Sequence, residues 1–495
     1  MVFACTLFVV PLLLLGIALI LPLVAQPTNY QAISAVESSL TKPEERPIRA
    51  AIRVSPATLS PKLRGDAGFE QQLLLDFAHR VNRRLELVEY TSVEAMFEAL
   101  DRGDVDMVSS GYEASPAFTA AFKKGPSYRN DQLIAVYRVG HHRPRSVNDL
   151  VGKRVAVVSD SLQSSELHRL QAELPALNWS ELENIDYIDL LSRIEDGDLD
   201  VAIVSKTDFQ LYRGAFPRLG EGFPLLDAVQ HRWIFGNGKH QHALLAQSRA
   251  YFVLADTQKQ IDVLSERFFS PSSKINQVAA NEFARNIRVR LPKYRNVIKE
   301  VANTHNLDWR FLAAISYQES NWLPKARSRT GVRGMMMLTR QTASEMGINN
   351  RLDVEKSLEG GAAYYLKLRK RISPAVTGPD RDWMALAAYN FGYGHLLDAR
   401  ALTAKRGGDP NLWHDVKQTL PLLHDPKFYR ETRYGYARGW EALDYVQQIR
   451  HYAEVLVLND IVSARQAALA ENPSTLIEVA SVDTDDTEQD LASAF

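Results

Sequence analysis

Residues Phe311 to Thr342 read FLAAISYQESNWLPKARSRTGVRGMMMLTRQT. Phe311, Leu312 and Ile315 recur at helical spacing, and Glu319 follows four residues after Ile315 on the same face. The stretch therefore opens as an apolar helical stripe that ends in one carboxylate. Asp308 stands where a helix takes its capping side chain, and Pro324 stops the helix soon after Glu319. A carboxylate on such a stripe is partly desolvated, and it sits at the negative end of the helix dipole. Both effects favour its protonated form. A glutamate still protonated near pH 7 can act as a general acid. An isolated Glu-Ser at a helix end is more often a solvated terminus, so the reading depends on partners elsewhere in the chain.

The chain has 495 residues, too many for one ordinary core, which predicts two domains plus tails. Its formal net charge is −1, without the basic excess of a nucleic-acid binder, so no nucleic-acid partner is expected. Cys5 is the only cysteine, and it lies inside the N-terminal apolar segment. The body thus has no disulfide, no thiolate metal site and no cysteine nucleophile. No His/Asp/Glu cluster has ligand spacing, and His141-His142 reads as a loop pair, so neither metal nor cofactor is expected. Val2 to Ala25 carries no charge and is long enough to span a bilayer. Residues 1–25 read as a secretory signal peptide or an uncleaved N-terminal anchor, and either implies export. Cys5 precedes the apolar core, where a lipoprotein cysteine would follow it. Residues 26–45 are polar and read as a linker.

From residue 46 to 269, short β-branched runs alternate with helical ones, which predicts an α/β domain with a largely parallel sheet. Ala51 to Val54 and Leu85 to Tyr90 read as strands, with Leu74, Phe77, Ala78 and Val81 on one helix between them. A weak internal echo pairs Leu100-Asp-Arg-Gly-Asp-Val-Asp-Met-Val108 with Ile194-Glu-Asp-Gly-Asp-Leu-Asp-Val-Ala202. In each, a helix ends at Gly and a strand starts just after the last Asp, as in a domain of two similar lobes. Gly68-Phe69, the repeated Gly-Asp-x-Asp and Gly125-Pro126-Ser127-Tyr128 make this segment resemble the periplasmic solute-binding proteins of the amino-acid type. The resemblance implies a ligand cleft between two α/β lobes. The Arg that such proteins use to clamp the ligand carboxylate is missing from Ser115-Pro116-Ala117-Phe118, and Asp208 is the nearest carboxylate to the expected amine clamp near Ser205. Loss of a bidentate Arg weakens amino-acid binding. The expectation is a regulatory module that senses muropeptides or amino acids, with a ligand-free scaffold as the alternative.

Ser270-Pro271-Ser272-Ser273 breaks the α/β pattern, and residues 270–460 read as a mainly α-helical domain. Residues 461–495 are small, polar and acidic and read as a disordered tail. After Gln318-Glu319-Ser320 come Gly331-Val-Arg-Gly334-Met335-Met336-Met337-Leu338-Thr339, then Ala388-Tyr389-Asn390-Phe391-Gly392, then Glu441 with Tyr445-Val446. Aromatics, amides and hydroxyls around one acid suit a carbohydrate groove, because sugars offer apolar faces and hydroxyls.

In that order the motifs resemble the lytic transglycosylase domain of the soluble-lytic-transglycosylase, goose-lysozyme-like group, over about Leu291 to Leu458. The fold implied for the whole chain is multidomain: a two-lobed, periplasmic-binding-protein-like α/β domain followed by a mainly α-helical, lysozyme-like domain. The activity implied is cleavage of the β-1,4 bond between N-acetylmuramic acid and N-acetylglucosamine in peptidoglycan glycan strands, leaving 1,6-anhydromuramyl ends. Glu319 is the implied acid and then base, with Tyr389, Asn390 and Tyr445 as groups that orient it or hold the sugar. Ser328 and Thr342 are further substrate-binding candidates. Met337 stands where many relatives carry a substrate-binding Gln. Membrane association and a periplasmic location at the outer membrane are implied as well. The alternatives are a lysozyme-type hydrolase and a solute-binding receptor with a non-catalytic wall-binding module.

Overall fold

The computed structural model describes residues 46–53, 68–90, 92–109, 114–183, 185–269 and 277–471. The expected leader at 1–25, the linker at 26–45, Ser270–Ser273 and the chain after 471 lie outside them.

The N-terminal half is built on eight strands: β1 (Ile48–Arg53), β2 (Leu85–Tyr90), β3 (Met107–Ser109), β4 (Lys123–Arg138), β5 (Val155–Val158), β6 (Ser180–Leu182), β7 (Val201–Ser205) and β8 (Leu219–Phe235). They form one sheet in the order β2-β1-β3-β8-β4-β7-β5-β6. β1 runs parallel to β2 and β3, and β5 runs parallel to β6 and β7. The sheet is nevertheless mixed: four of its seven pairings are parallel and three antiparallel. β4 and β8, 16 and 17 residues long, run antiparallel to each other, and pair antiparallel to β7 and β3 respectively. Only strands this long reach both halves of the sheet, and alternation of short runs does not reveal their direction.

Among the described residues, seven helices of more than one turn flank these strands: α1 (Phe69–Arg80), α2 (Val93–Arg102), α3 (Leu162–Gln171), α4 (Tyr187–Asp196), α5 (Lys206–Tyr212), α6 (Lys239–Phe252) and α7 (Ala255–Phe269). The apolar stripe of α1 buries Leu74, Phe77 and Ala78 against Trp233, Tyr251 and Phe252. A separate core gathers Val136, Val158, Ile188, Leu191 and Phe209. Two further clusters, around Val93 and Phe97 and around Val155 and Ile203, pack on the same sheet, so each lobe has two.

The Gly-Asp-x-Asp echo has one structural cause in both lobes. Gly103 and Gly197 end α2 and α4 in the left-handed region, at φ 75° and 90°. The last Asp of each motif then ties its strand to a neighbouring segment. Asp106 accepts the Arg49 N–H at 2.9 Å, and Asp200 accepts the Arg154 N–H at 2.9 Å. Their own N–H groups donate to the carbonyls of Arg49 and Arg154.

The C-terminal half is helical: α8 (Gln277–Val289), α9 (Leu291–Thr304), α10 (Trp309–Ser320), α11 (Val354–Arg371), α12 (Gly378–Phe391), α13 (Tyr393–Lys405), α14 (Trp413–Thr419) and α15 (Gly439–Glu471), with shorter helical turns between them. One core joins Phe311, Leu312, Ile315, Tyr365, Leu386, Val446 and Ile449. The expected tail begins later than its composition implied, because α15 stays helical through residues 461–471. Its Leu458 enters the second lobe's core, and Ile461 and Val462 pack against that core, so apolar burial holds this stretch. Arg450, on the same helix, is buried and donates to the carbonyls of Glu266 and Arg267 at the end of α7, at 3.2 and 2.9 Å.

Candidate active site

Glu319 is positioned by the way α10 ends. Asp308 caps its start by accepting the Arg310 N–H at 2.7 Å. Asn321 and Trp322 adopt φ values of 53° and 56°, which turns the chain back sharply after Ser320. The Trp322 indole is fully buried beneath the helix and donates to the Ala313 carbonyl at 2.9 Å. Ser320 Oγ donates to the Met335 carbonyl at 2.8 Å, which ties the Gly-Met loop to the helix end. That loop needs Gly334. Its φ is +91°, and a Cβ there would lie 1.8 Å from the Arg351 carbonyl oxygen. Met336 packs on Gly361 of α11, where a Cβ would approach its side chain to 2.4 Å, and its N–H donates to Ser357 Oγ at 3.1 Å.

Two tyrosines complete the cluster. Tyr445 of α15 donates its hydroxyl to Glu319 Oε1 at 2.5 Å. Tyr389 of α12 donates to the Met336 carbonyl at 3.2 Å, and its ring stacks on that of Tyr445 with centroids 6.4 Å apart. Tyr364 of α11 meets Tyr389 edge-on at 5.3 Å. Glu319 itself is partly buried. Burial pushes its carboxyl up to about 7, and the Tyr445 hydrogen bond offsets this only in part. Burial also pushes both tyrosine hydroxyls well above the ordinary phenol value, with the Glu319 charge adding to it, so both remain hydrogen-bond donors.

Among the sequence candidates, Glu319, Tyr445 and Tyr389 come together. Asn390 follows Tyr389 and is exposed at the end of α12. Met337 is half-buried at φ 47° and follows the carbonyl that Tyr389 holds. Ser328 and Thr342 are engaged in local turns. Ser328 Oγ accepts the N–H groups of Thr330 and Val332 at 3.2 and 3.3 Å, and the Thr342 hydroxyl sits 2.9 Å from that of Thr339. Tyr364 and Ser357 were not singled out from the sequence. The Gly360-Gly361 pair inside a helix was the available signal of a close approach there.

In the N-terminal half, Ser115 and Asp208 both meet other protein groups. Ser115 Oγ lies 2.7 Å from Ser165 Oγ, and the Ser115 N–H donates to the Asp160 carbonyl, so the lobes touch directly. Asp208 is buried at the start of α5, beside Ser205, Arg129, Asp131 and His231. Burial pushes its carboxyl up to about 7, opposed by Arg129.

The transglycosylase SLT domain model matches residues 296–411, which include α10, the Gly-Met loop and α12. A membrane-bound lytic murein transglycosylase F of Hahella chejuensis (strain KCTC 2396) is 37% identical over 432 residues, covering 87% of this chain and 85% of that protein. The chain belongs to the membrane-bound lytic murein transglycosylase F family. A member from Pseudoalteromonas translucida (strain TAC 125) is 39% identical, covering 83% of this chain and 87% of its own length. Another, from Shewanella sp. (strain MR-4), is 37% identical and covers 91% and 93%. Among solved structures, an ancestral arginine-binding protein bound to arginine is similar at 15% identity and TM-score 0.41, covering 46% of this chain and 100% of that one. A mutant ArgBP from T. maritima is similar at 19% identity and TM-score 0.39, covering 48% and 99%.

Proposed function

We propose that Glu319 carries the lytic transglycosylase reaction of this chain, first as general acid and then as general base. The observation that supports it most is the partly buried carboxyl held at 2.5 Å by Tyr445 and kept protonated to about pH 7. The Glu319 proton passes to the glycosidic oxygen of the leaving N-acetylglucosamine as the bond to muramyl C1 breaks. An oxocarbenium-like centre forms on C1. The muramyl C6 hydroxyl then attacks C1 and gives its proton to the Glu319 carboxylate, which restores the acid and leaves a 1,6-anhydromuramyl end. The internal hydroxyl has a high effective concentration and replaces the positioned water that an inverting hydrolase activates with a second carboxylate. Tyr445 orients Glu319, and Tyr389 fixes the Met336 carbonyl in the Gly-Met loop. Asn390, Met337, Ser328 and Thr342 are assigned the sugar contacts.

Replacing Glu319 with Gln tests the assignment: murein cleavage is lost while the fold is kept. Mass analysis of wild-type products separates transglycosylation from hydrolysis, since anhydro ends weigh one water less than reducing ends.

The N-terminal lobes are assigned a regulatory role toward muropeptides or amino acids. The support is α15, which carries both the Tyr445 contact to Glu319 and the Arg450 contact to α7. Calorimetry with muropeptides and amino acids, followed by cleavage rates with and without each, tests this role. No heat and no rate change would leave a scaffold. The chain is assigned to the periplasm, peripherally on the outer membrane, on the strength of the apolar Val2–Ala25 segment and the membrane-bound relatives. Among the described residues no helix is long and apolar enough to cross a membrane. Fractionation of cells expressing the full chain tests the location.

A further inference from the structure

Large aromatic side chains left in water are unfavourable unless something covers them, so a rigid display of several calls for an explanation. Tyr434, Tyr436 and Trp440 are 46%, 56% and 45% exposed, all within seven residues at the entry to α15. Their backbone is firmly held. The N–H groups of Arg433 and Tyr434 donate to the buried Asp398 carboxylate at 3.1 and 2.8 Å. The Ala437 N–H donates to the Leu423 carbonyl at 3.0 Å. The Tyr434 ring lies on Gly394, where a Cβ would meet it at 2.6 Å.

Tyr434 connects to the candidate active site through two intervening rings. Tyr434 faces His395 at 6.3 Å, and His395 faces Phe391 at 5.9 Å, directly after Tyr389 and Asn390. Trp440 stands five residues before Tyr445 on the helix that reaches Glu319. The row Phe391, His395 and Tyr434 therefore leads from the end of α12 to this surface. Sugar rings stack their C–H faces on aromatic rings, as the linear glycan of peptidoglycan would require.

We propose that Tyr434, Tyr436 and Trp440 form a glycan platform beyond the cleavage site, which holds a long peptidoglycan strand several sugars away from the bond being cut. The platform rests on the lytic transglycosylase reading. It makes the enzyme prefer long strands over short fragments.

The test compares Tyr436→Ala, Trp440→Ala and the double variant with wild type, all as the full chain. One substrate is the peptide-free glycan strand released from sacculi by an amidase, and the other is a tetrasaccharide that spans one cleavable bond. For long strands, KM rises about three- to tenfold per ring removed. For the tetrasaccharide, kcat and KM stay within twofold. Tyr436→Phe and Trp440→Phe, which keep a ring, restore most of the strand affinity. Equal losses on both substrates, or no change on either, would overturn the platform. So would a change confined to co-sedimentation with anionic phospholipid vesicles, which would make the surface a membrane contact. If wild type cleaves neither substrate but binds long strands more tightly than the double variant does, the platform stands and the transglycosylase reading fails.

Discussion

Replacing Glu319 with Gln should change stability in a way that depends on pH and is separable from activity. The folded carboxyl titrates at about 7, against an ordinary value of 4.5. Between those values the folded protein holds a proton that the unfolded chain releases. Stability is therefore lost as pH rises through that window. At 1.36 kcal/mol per unit, the raised carboxyl lowers stability, relative to acid pH, by about 3 kcal/mol at pH 8 and about 1 kcal/mol at pH 5. Gln has no such titration, and its carbonyl still accepts the Tyr445 hydroxyl. Any constant offset from its amide is the same at every pH. Other raised carboxyls, such as Asp208, Asp380 and Glu454, are present in both proteins and cancel in the difference. Urea denaturation of wild type and variant from pH 5 to 8 should show the variant gaining about 2 kcal/mol relative to wild type across that range. A difference that stays flat would refute the raised carboxyl, and with it the reason for calling Glu319 an acid. Wild-type cleavage, in turn, should fall about tenfold per unit above pH 7, as the proton needed for the first step is lost.

Tyr445→Phe removes the hydrogen bond that lowers the Glu319 titration, so the alkaline limb of the pH–rate profile should move upward while cleavage slows; an unmoved limb counts against the contact. Gly334→Ala forces a Cβ onto the Arg351 carbonyl at a positive φ and should destabilise the helical half by roughly 2–4 kcal/mol in urea titrations. Arg450→Ala strips the last carbonyls of α7 of a charged donor and should cost about 2–4 kcal/mol, read as a lower urea midpoint and faster proteolysis near residue 270. Asp106→Asn should weaken its lobe by about 1–3 kcal/mol in urea titrations and Asp200→Asn by less, since Asp106 is buried and Asp200 is part-exposed.

What could be read from the sequence was what local chemistry dictates. Gly103 and Gly197 announce helix ends because only glycine enters the left-handed region cheaply, and both stand there. Glu319 was legible because four-residue spacing puts it on the stripe of Ile315, and the structure keeps it partly buried there. Tyr445, 126 residues away, was reachable only through the resemblance, since no periodicity links it to Glu319. The antiparallel course of β4 and β8 was illegible for a related reason: strand direction depends on where the chain returns, which short runs do not record. The end of α15 is hidden in the sequence because residues 461–471 look like a tail by composition. Ile461 and Val462 escape that fate only through the apolar face of a lobe more than 200 residues upstream.

The same helix explains why the two halves belong in one chain. α15 has 33 residues, about 50 Å at 1.5 Å per residue. Near its start Tyr445 holds Glu319, and a turn and a half later Arg450 holds the end of α7. Two turns beyond that, Leu458 lies in the second lobe's core, and Val455 and His451 close on Gly214, which leaves no room for a Cβ. A helix fastened at three such points moves as a rigid body or strains. If the lobes turn relative to each other about β4 and β8, the α7 end and the Gly214 loop pull on α15 unequally. The 2.5 Å Tyr445–Glu319 contact is where that displacement meets the chemistry. The titration of Glu319 would then respond to the state of the lobes, and the alkaline limb of cleavage would report it.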